Sequence, residues 1–265
     1  MDWTNLELAS PRVQIVTMHP NYRFLIEQAI VLGGSEARIL DYGCGACPVV
    51  LAARSEGIDM VGADIFYAGN ESRQAVTSQG LLGKVAFEIV DGKLPFPDQY
   101  FDVIVSNQVF EHVQDIGSAL DEIRRVLRPG GAFLNVFPSI GVLREGHCGV
   151  VFAHWMNGAP MLQRFWLRFA RSLGAGYHKG DKTPAQWAAG FSDYLRRFTV
   201  YRSMRTIKRE HLKRFTALEW REPDYIAFRL AARGNARLAE LARTVLAPMS
   251  RIASRRLASM VLVAR

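Results

Sequence analysis

The sequence has few cysteines and no long apolar run. It contains three cysteines, Cys44, Cys47 and Cys148. This number is too small for a disulfide framework and favours a reducing compartment. The most apolar windows, 149–162 and 257–264, are too short or too polar for a transmembrane helix, which needs about 20 apolar residues. The first residues include Asp2 and Glu7 and lack the basic start and apolar core of a secretory signal. We therefore expect a cytoplasmic protein without a transmembrane segment.

Acidic residues are scarce in the second half of the chain. Residues 1–150 hold 11 basic and 18 acidic residues, a net charge of −7. Residues 151–265 hold 22 basic and 7 acidic residues, a net charge of +15. This imbalance indicates an anionic or membrane-surface partner for the second half.

Apolar runs rich in β-branched residues alternate with helical segments through the first half. The predicted strands are 38–42, 59–63, 85–90, 101–106 and 132–137, and the clearest helices are 20–32, 48–55 and 116–127. This alternation is typical of βαβ units around a parallel sheet that is buried on both faces. The pattern predicts a doubly wound α/β core over residues 1–138.

The pattern changes after residue 138. Residues 139–200 carry three of the five tryptophans and little strand signal, which predicts a mainly helical, aromatic insertion. An insertion after the carboxyl end of a strand lies where α/β sheets bind ligands, so it is a candidate acceptor lid. Its candidate pocket residues are His147, His154 and Trp155. Residues 201–265, with helices at 203–213 and 233–249 and strands at 215–220 and 257–264, are expected to close the sheet.

Two segments combine apolar residues and arginines at helical spacing. Residues 160–173 place Phe165 and Phe169 on one face and Arg164 and Arg168 on the other, and residues 233–256 repeat this arrangement. Such a helix packs its apolar face on the core and leaves the arginines in solvent, or it lies on an anionic membrane surface. The sequence alone leaves both interpretations open.

A glycine-rich turn follows the first predicted strand. Gly43 and Gly45 allow the backbone to approach a ligand closely and present amides at a helix start. Pro48 stands where a dinucleotide-binding motif has its third glycine. Asp41, two residues before Gly43, would repel a pyrophosphate and favours a ligand that carries amines.

Carboxylates also follow the next two strands. Asp64 is placed to accept hydrogen bonds from both hydroxyls of a ribose, because a carboxylate has two acceptor oxygens. Asp91 is placed to accept one from an adenine amino group. Together with Asp41, these residues favour a cationic ligand that contains adenosine.

Six motifs in chain order carry a family resemblance. They lie at 39–45, 62–64, 90–92, 94–102, 111–113 and 124–131. In this order the chain resembles class I S-adenosylmethionine-dependent methyltransferases of the small-molecule type, such as the quinone-biosynthesis enzymes, over residues 36–138. The resemblance implies a seven-stranded Rossmann-like sheet that ends in an antiparallel strand at 257–264.

The resemblance also implies roles for residues of the turn and the strand ends. Asp41, Gly43 and Gly45 would hold the methionine end of S-adenosylmethionine, and Asp64 would hold the ribose. The remaining cofactor residues that it implies are Asp91 and Gly92 at the adenine and the carbonyl of Asn107 beside the methionyl amine.

Glu111 and His112 are less specific. Some relatives bind a divalent metal through a Glu-x-x-Glu-His pattern, but Gln108 occupies the first position here, and an amide is a poorer ligand for a hard cation. We therefore expect no metal. His112 is a candidate general base, because a histidine titrates near physiological pH, and the alternative is a structural hydrogen bond at a helix start.

The sequence thus predicts methyl transfer from S-adenosylmethionine to a small-molecule acceptor, anionic, phosphorylated or lipid-linked, with peripheral contact at the inner membrane surface. Two alternatives stay open, a catalytically silent S-adenosylmethionine-binding regulatory module and a nicotinamide-dependent oxidoreductase. Nucleic acid is disfavoured as an acceptor, because no Asn-Pro-Pro-Tyr-like motif stands at Asn107.

Overall fold

The computed structural model describes residues 19–66 and 71–265. Asp2 and Glu7, which entered the argument about a secretory signal, lie outside the described residues. The helices are α1 Pro20–Gly33, α2 Pro48–Ser55, α3 Glu71–Ser78, α4 Ile116–Val126, α5 Pro160–Ser172, α6 Pro184–Phe198, α7 Met204–Leu212, α8 Glu222–Ala231, α9 Ala236–Arg243 and α10 Ala247–Leu257, with a 3-10 helix at Ala153–Met156. The strands are β1 Ile39–Tyr42, β2 Met60–Asp64, β3 Ala86–Glu88, β4 Phe101–Asn107, β5 Leu127–Phe137, β6 Leu218–Trp220 and β7 Met260–Ala264.

These strands form one seven-stranded sheet in the order β3-β2-β1-β4-β5-β7-β6. Strands β1 to β5 pair in parallel, and β7 runs antiparallel to both β5 and β6. The doubly wound, mostly parallel sheet expected from the sequence is confirmed, and so is the antiparallel strand near the end of the chain. The carboxyl ends of β1 to β5 therefore meet at one edge of the sheet.

Alternate residues of the central strands pack into two separate apolar clusters. Val103 and Val105 lie in the cluster that contains Phe24 of α1. Ile104, between them, lies in the cluster that contains Ile123 of α4. The sheet is therefore buried on both faces, which explains why its strands have continuous apolar runs instead of an alternating pattern.

The boundary between α4 and β5 differs from the prediction. The predicted helix runs to residue 127, whereas α4 ends at Val126 and β5 already begins at Leu127. Leu127 pairs with Phe101 of β4. The glycine-rich stretch that follows lies inside the strand, where Gly130 has φ 75° and the register shifts, and a glycine tolerates that backbone geometry.

The C-terminal helices also differ from the prediction. The single helix predicted at 233–249 is two helices, because α9 ends at Arg243 and α10 begins at Ala247. Pro248 lies in the first turn of α10, where its missing N–H costs nothing, whereas inside a continuous helix it would remove a hydrogen bond. Helix α8 had not been predicted.

The insertion after β5 is mainly helical, as expected. It has an apolar cluster of its own, which includes Leu167 of α5 and Trp187 and Leu195 of α6. It is joined to the core by backbone hydrogen bonds, among them Val200 N to Glu111 O at 2.6 Å. Its boundaries at 138 and 200, and its role as a lid, stay predictions.

The two arginine-rich amphipathic segments expose their apolar faces. In α5, Met161 is 87% exposed and Phe165 67%, while Gln163 and Leu167 of the same helix are buried. In α10, Met249 is 66% exposed. The interpretation that these apolar faces pack on the core is therefore wrong. Within the ranges that the structure describes, the helices are too short or too polar to cross a membrane.

Candidate active site at the carboxyl edge of the sheet

The turn after β1 depends on close backbone packing. Gly43 and Gly45 have φ of 81° and 53°, in the left-handed region that favours glycine. Gly62 of β2 lies against this turn, and a Cβ atom there would stand 2.6 Å from the Cβ and Sγ atoms of Cys44. The chain therefore reaches α2 through a tight turn packed against the neighbouring strand.

Asp41 is a buried carboxylate at the end of β1. It is 3% exposed, and among the described residues its side chain has no hydrogen-bond partner. Burial, together with the nearby charge of Asp64, raises the pKa of Asp41 to about 7. A buried, uncompensated carboxylate is unfavourable unless a cation or donor faces it, so this position suits a cationic ligand.

Asp64 ends β2 and contacts the same turn. Its Oδ2 atom accepts a hydrogen bond from Gly45 N at 2.9 Å, and its Oδ1 atom accepts one from Phe66 N at 3.4 Å. The side chain is half-buried and thus open on one side. The carboxylate is fixed between two backbone amides, with acceptor capacity left for ligand hydroxyls.

The third strand end presents Asp91 and Gly92. Both are exposed and have positive φ, 50° and 73°. Two apolar side chains flank these acids in sequence. Ile65 follows Asp64 and is 54% exposed, and Val90 precedes Asp91 and is 58% exposed. The sequence analysis missed both, because an isoleucine or valine beside a strand is expected to be core.

Asn107 is the last residue of β4, which pairs with Val136 of β5. Its Oδ1 atom is buried without a hydrogen-bond partner among the described residues. A buried polar atom without a partner is uncommon in folded proteins and indicates a missing donor. This position, beside Asp41 on the neighbouring strand, is consistent with the expected place of a ligand amine.

His112 has both ring nitrogens engaged. Its Nδ1 atom lies 2.7 Å from Phe198 O, and because a carbonyl oxygen only accepts, Nδ1 carries the hydrogen. Its Nε2 atom lies 3.1 Å from Nε2 of His147. Burial lowers the pKa of His112. The structure thus joins His112 of the core to His147 of the insertion.

Glu145 organises the insertion side of this contact. Burial alone would raise its pKa, but hydrogen bonds from His147 Nδ1 at 2.6 Å, Cys148 N at 2.6 Å and the Tyr201 hydroxyl at 2.7 Å outweigh this effect and lower its pKa to about 2. The sequence analysis named His147 but missed Glu145 and Tyr201. In the sequence, the two-residue spacing of Glu145 and His147 was the only sign that these two side chains could interact.

Glu111 lies beside this histidine pair. It is 1% exposed, both carboxylate oxygens lack hydrogen-bond partners among the described residues, and burial raises its pKa to about 7. Ligand atoms of Glu111, His112 and His147 all lie within 4.8 Å of one another.

His154 and Trp155, the other expected pocket residues, form a second group. His154 Nε2 and Trp155 Nε1 both lie within hydrogen-bond distance of Ile140 O, at 3.3 Å and 2.6 Å. The ring of Tyr201 packs on His154 with centroids 4.4 Å apart and, through Glu145, links this group to His147. The role of both residues in an acceptor pocket stays a prediction.

The arrangement fits S-adenosylmethionine. The buried carboxylate of Asp41, which no side chain in the described part of the chain compensates, matches a ligand with a cationic end. Asp64 retains acceptor capacity for hydroxyls. Exposed apolar side chains at Ile65 and Val90 match a flat base. The assignments of Asp41, Gly43, Gly45, Asp64, Asp91, Gly92 and Asn107 stay predictions at the level of single residues.

Comparison with known proteins agrees with this chemistry. Residues 40–135 match the family model described as a methyltransferase domain. The chain is 37% identical to Methyltransferase GfsG of Streptomyces halstedii over 36% of this chain and 35% of that protein. It is 39% identical to the ubiquinone/menaquinone biosynthesis C-methyltransferase UbiE of Vibrio campbellii over 24% of this chain and 26% of that protein. The chain covers between 35% and 61% of the first curated relatives that it matches.

A solved structure extends the likeness to the whole fold. An S-adenosylmethionine-dependent methyltransferase from Mesorhizobium loti superposes with a TM-score of 0.53 and 16% identity, over 93% of this chain and 98% of that one. At this identity the likeness shows the fold alone. Residues 40–135 are thus similar to a methyltransferase domain, and the chain as a whole shares the fold of an S-adenosylmethionine-dependent methyltransferase.

Proposed function

We propose that this protein transfers the methyl group of S-adenosylmethionine to a small-molecule acceptor. The observation that carries the proposal is the buried carboxylate of Asp41, which lies near Asp64 at the carboxyl edge of the sheet and has no hydrogen-bond partner among residues 19–66 and 71–265. A cationic nucleoside compensates this charge, whereas a pyrophosphate would add to it.

The reaction needs little acid–base chemistry from the protein. The cofactor, when bound, supplies a methyl group that its sulfonium has already activated. Asp41 holds the methionine end of the cofactor and Asp64 holds its ribose, on either side of the sulfonium, which fixes the direction of the methyl group. The insertion at 139–200 excludes water from the space beside it, since His147 reaches the core at His112.

A base is required only if the acceptor must lose a proton, and His112 is the candidate from the sequence. With Nδ1 bonded to Phe198 O and Nε2 against His147, it has no free nitrogen in this arrangement. It would act as a base only after its Nε2 separates from His147.

We further propose an anionic or lipid-linked acceptor and a cytoplasmic protein at the inner membrane surface. Phe165, Arg168 and Phe169 line an open groove between α5 and the start of α6. The apolar face of α5 is exposed beside arginines, as in helices that lie on anionic lipid. The net charge of +15 on residues 151–265 supports the same acceptor class.

The two alternative functions have less support. A nicotinamide cofactor would bring a pyrophosphate to Asp41, and Pro48 starts α2 where a dinucleotide-binding turn has glycine. A silent S-adenosylmethionine-binding module would use the same carboxylates, so only detection of a methylated product separates it from an enzyme.

Replacing Asp64 tests the ribose site. We expect Asp64→Ala to weaken binding of S-adenosylhomocysteine by about 1.5–3 kcal/mol for each charge-assisted hydrogen bond lost, measured by calorimetry. The matched control is Asp59→Ala, which removes an exposed acid just before the opposite end of the same strand and should leave the affinity unchanged. Equal affinities for the two variants would contradict the assignment.

The raised pKa of Asp41 predicts a pH-dependent affinity. Only the ionised carboxyl attracts the ligand's ammonium, so with a pKa of about 7 the affinity for S-adenosylhomocysteine should rise by about tenfold between pH 6 and pH 8. The raised pKa also predicts that the protein without ligand becomes less stable as the pH rises from about 4 to about 7. In this range the Asp41 carboxyl loses its proton in the unfolded chain but keeps it in the folded protein, so unfolding becomes more favourable. Asp41→Asn should bind weakly at every pH, and a slope that survives in this variant would assign the dependence to another group.

The exposed face of α5 predicts binding to anionic vesicles. The protein should sediment with vesicles of equal phosphatidylglycerol and phosphatidylcholine, less so at high salt, and weakly with phosphatidylcholine alone. Phe165→Ser should weaken this binding by about three- to tenfold, because a large apolar ring no longer enters the lipid. Val31→Ser, at a residue of α1 that is 69% exposed, is the control and should bind normally. Sedimentation that is equal for all three proteins would refute the membrane contact of α5.

A further inference from the structure

Three side chains of the types that bind metals converge where the core meets the insertion. Glu111 and His112 follow β4, and His147 belongs to the segment after β5. One ligand atom from each lies within 4.8 Å of the other two. The sequence counted Gln108 against a metal and gave no sign that His147 would join this cluster.

The hydrogen bonds of the two histidines fix which nitrogens carry hydrogen. His112 Nδ1 donates to Phe198 O at 2.7 Å, and His147 Nδ1 donates to the Glu145 carboxylate at 2.6 Å. Their Nε2 atoms therefore carry lone pairs when the rings are neutral, and these atoms face each other at 3.1 Å. Two lone pairs at this distance repel each other unless a cation lies between them.

The same geometry is that of a metal-bound histidine pair. Imidazole nitrogens bind Zn²⁺ at about 2.0–2.1 Å, which separates two ligand nitrogens by about 2.9 Å at a right angle and about 3.4 Å at the tetrahedral angle. The separation of 3.1 Å between the two Nε2 atoms lies between these values. Metal-bound histidines also donate their second N–H to a carbonyl or carboxylate, as both rings do here.

Glu111 distinguishes a metal ion from a shared proton. A proton between the two Nε2 atoms would relieve their repulsion and leave Glu111 with two buried oxygens and no partner among the described residues. A divalent cation bound by all three groups satisfies the carboxylate as well. Burial of a carboxylate at 1% exposure is consistent with such a ligand.

We propose that Glu111, His112 and His147 bind one divalent first-row transition-metal ion. Two imidazoles and one carboxylate favour Zn²⁺, Fe²⁺ or Mn²⁺ over Mg²⁺, which prefers oxygen ligands. Three protein ligands leave at least one coordination position of the metal ion open. An acceptor oxygen bound there would have a lowered pKa, which favours acceptors with a hydroxyl or carboxylate close to the methylated atom.

This inference goes beyond methyl transfer, and metal binding alone tests it. The full chain is treated with chelator, and then titrated with Zn²⁺ against a competing chelator and with Co²⁺ by visible absorption. We expect one ion per chain with micromolar or tighter affinity and Co²⁺ bands without sulfur-to-metal charge transfer. His147→Gln and Glu111→Gln should weaken binding at least tenfold.

Further variants keep the result interpretable if either ligand variant misfolds. Glu145→Gln keeps all three proposed ligands but weakens the hydrogen bond that orients His147, and it should weaken binding about 10- to 100-fold. His178→Asn removes an exposed imidazole and should bind normally. The proposal is overturned if no ion binds below millimolar concentration, if His147→Gln and Glu145→Gln both bind normally, or if binding is lost in Cys44→Ser with a sulfur band in the Co²⁺ spectrum.

Discussion

The negative charge of Asp41 is the constraint on which the site depends. The carboxylate is enclosed at the end of β1 without a hydrogen-bond partner among the described residues, and it lies close enough to Asp64 for their charges to repel. Burial is unfavourable for the ionised carboxylate, so Asp41 keeps its proton to about pH 7, and a cationic ligand would stabilise the ionised form. The parallel order of β2, β1 and β4 brings Asp64 and Asn107 to the same edge as Asp41, where we propose that one cationic nucleoside contacts all three groups.

A second buried carboxylate, Glu145, differs from Asp41 because hydrogen-bond donors surround it. It is fully enclosed, and hydrogen bonds from His147, Cys148 and Tyr201 hold it ionised. Because the Nε2 atom of His147 then lies 3.1 Å from that of His112, the insertion is joined to the core by a contact whose geometry depends on Glu145. In this account the cofactor edge and the acceptor side meet at the loop after β4, where Glu111 and His112 lie.

The sequence predicted the sheet and its edge well, because strand periodicity and glycine positions are local signals. Asp41, Gly43 and Asp64 lie at this edge as expected, while their roles toward the cofactor stay predictions, and helix α2 has the predicted bounds. The sequence did not decide whether the apolar face of α5 is buried or exposed, since helical spacing shows that a face is apolar but not what covers it. The approach of His147 to His112, 35 residues earlier, depends on tertiary packing and has no local signal. The break between α9 and α10 did have one, in Pro248, but helical spacing on both sides concealed it.

The most direct test of the central claim is a crystal structure of the protein with S-adenosylhomocysteine. The account predicts the ribose hydroxyls on the Asp64 carboxylate, the amino group near Asp41 and the Asn107 carbonyl, and the base between Ile65 and Val90. A ligand bound elsewhere, or one whose ribose does not contact Asp64, would contradict it.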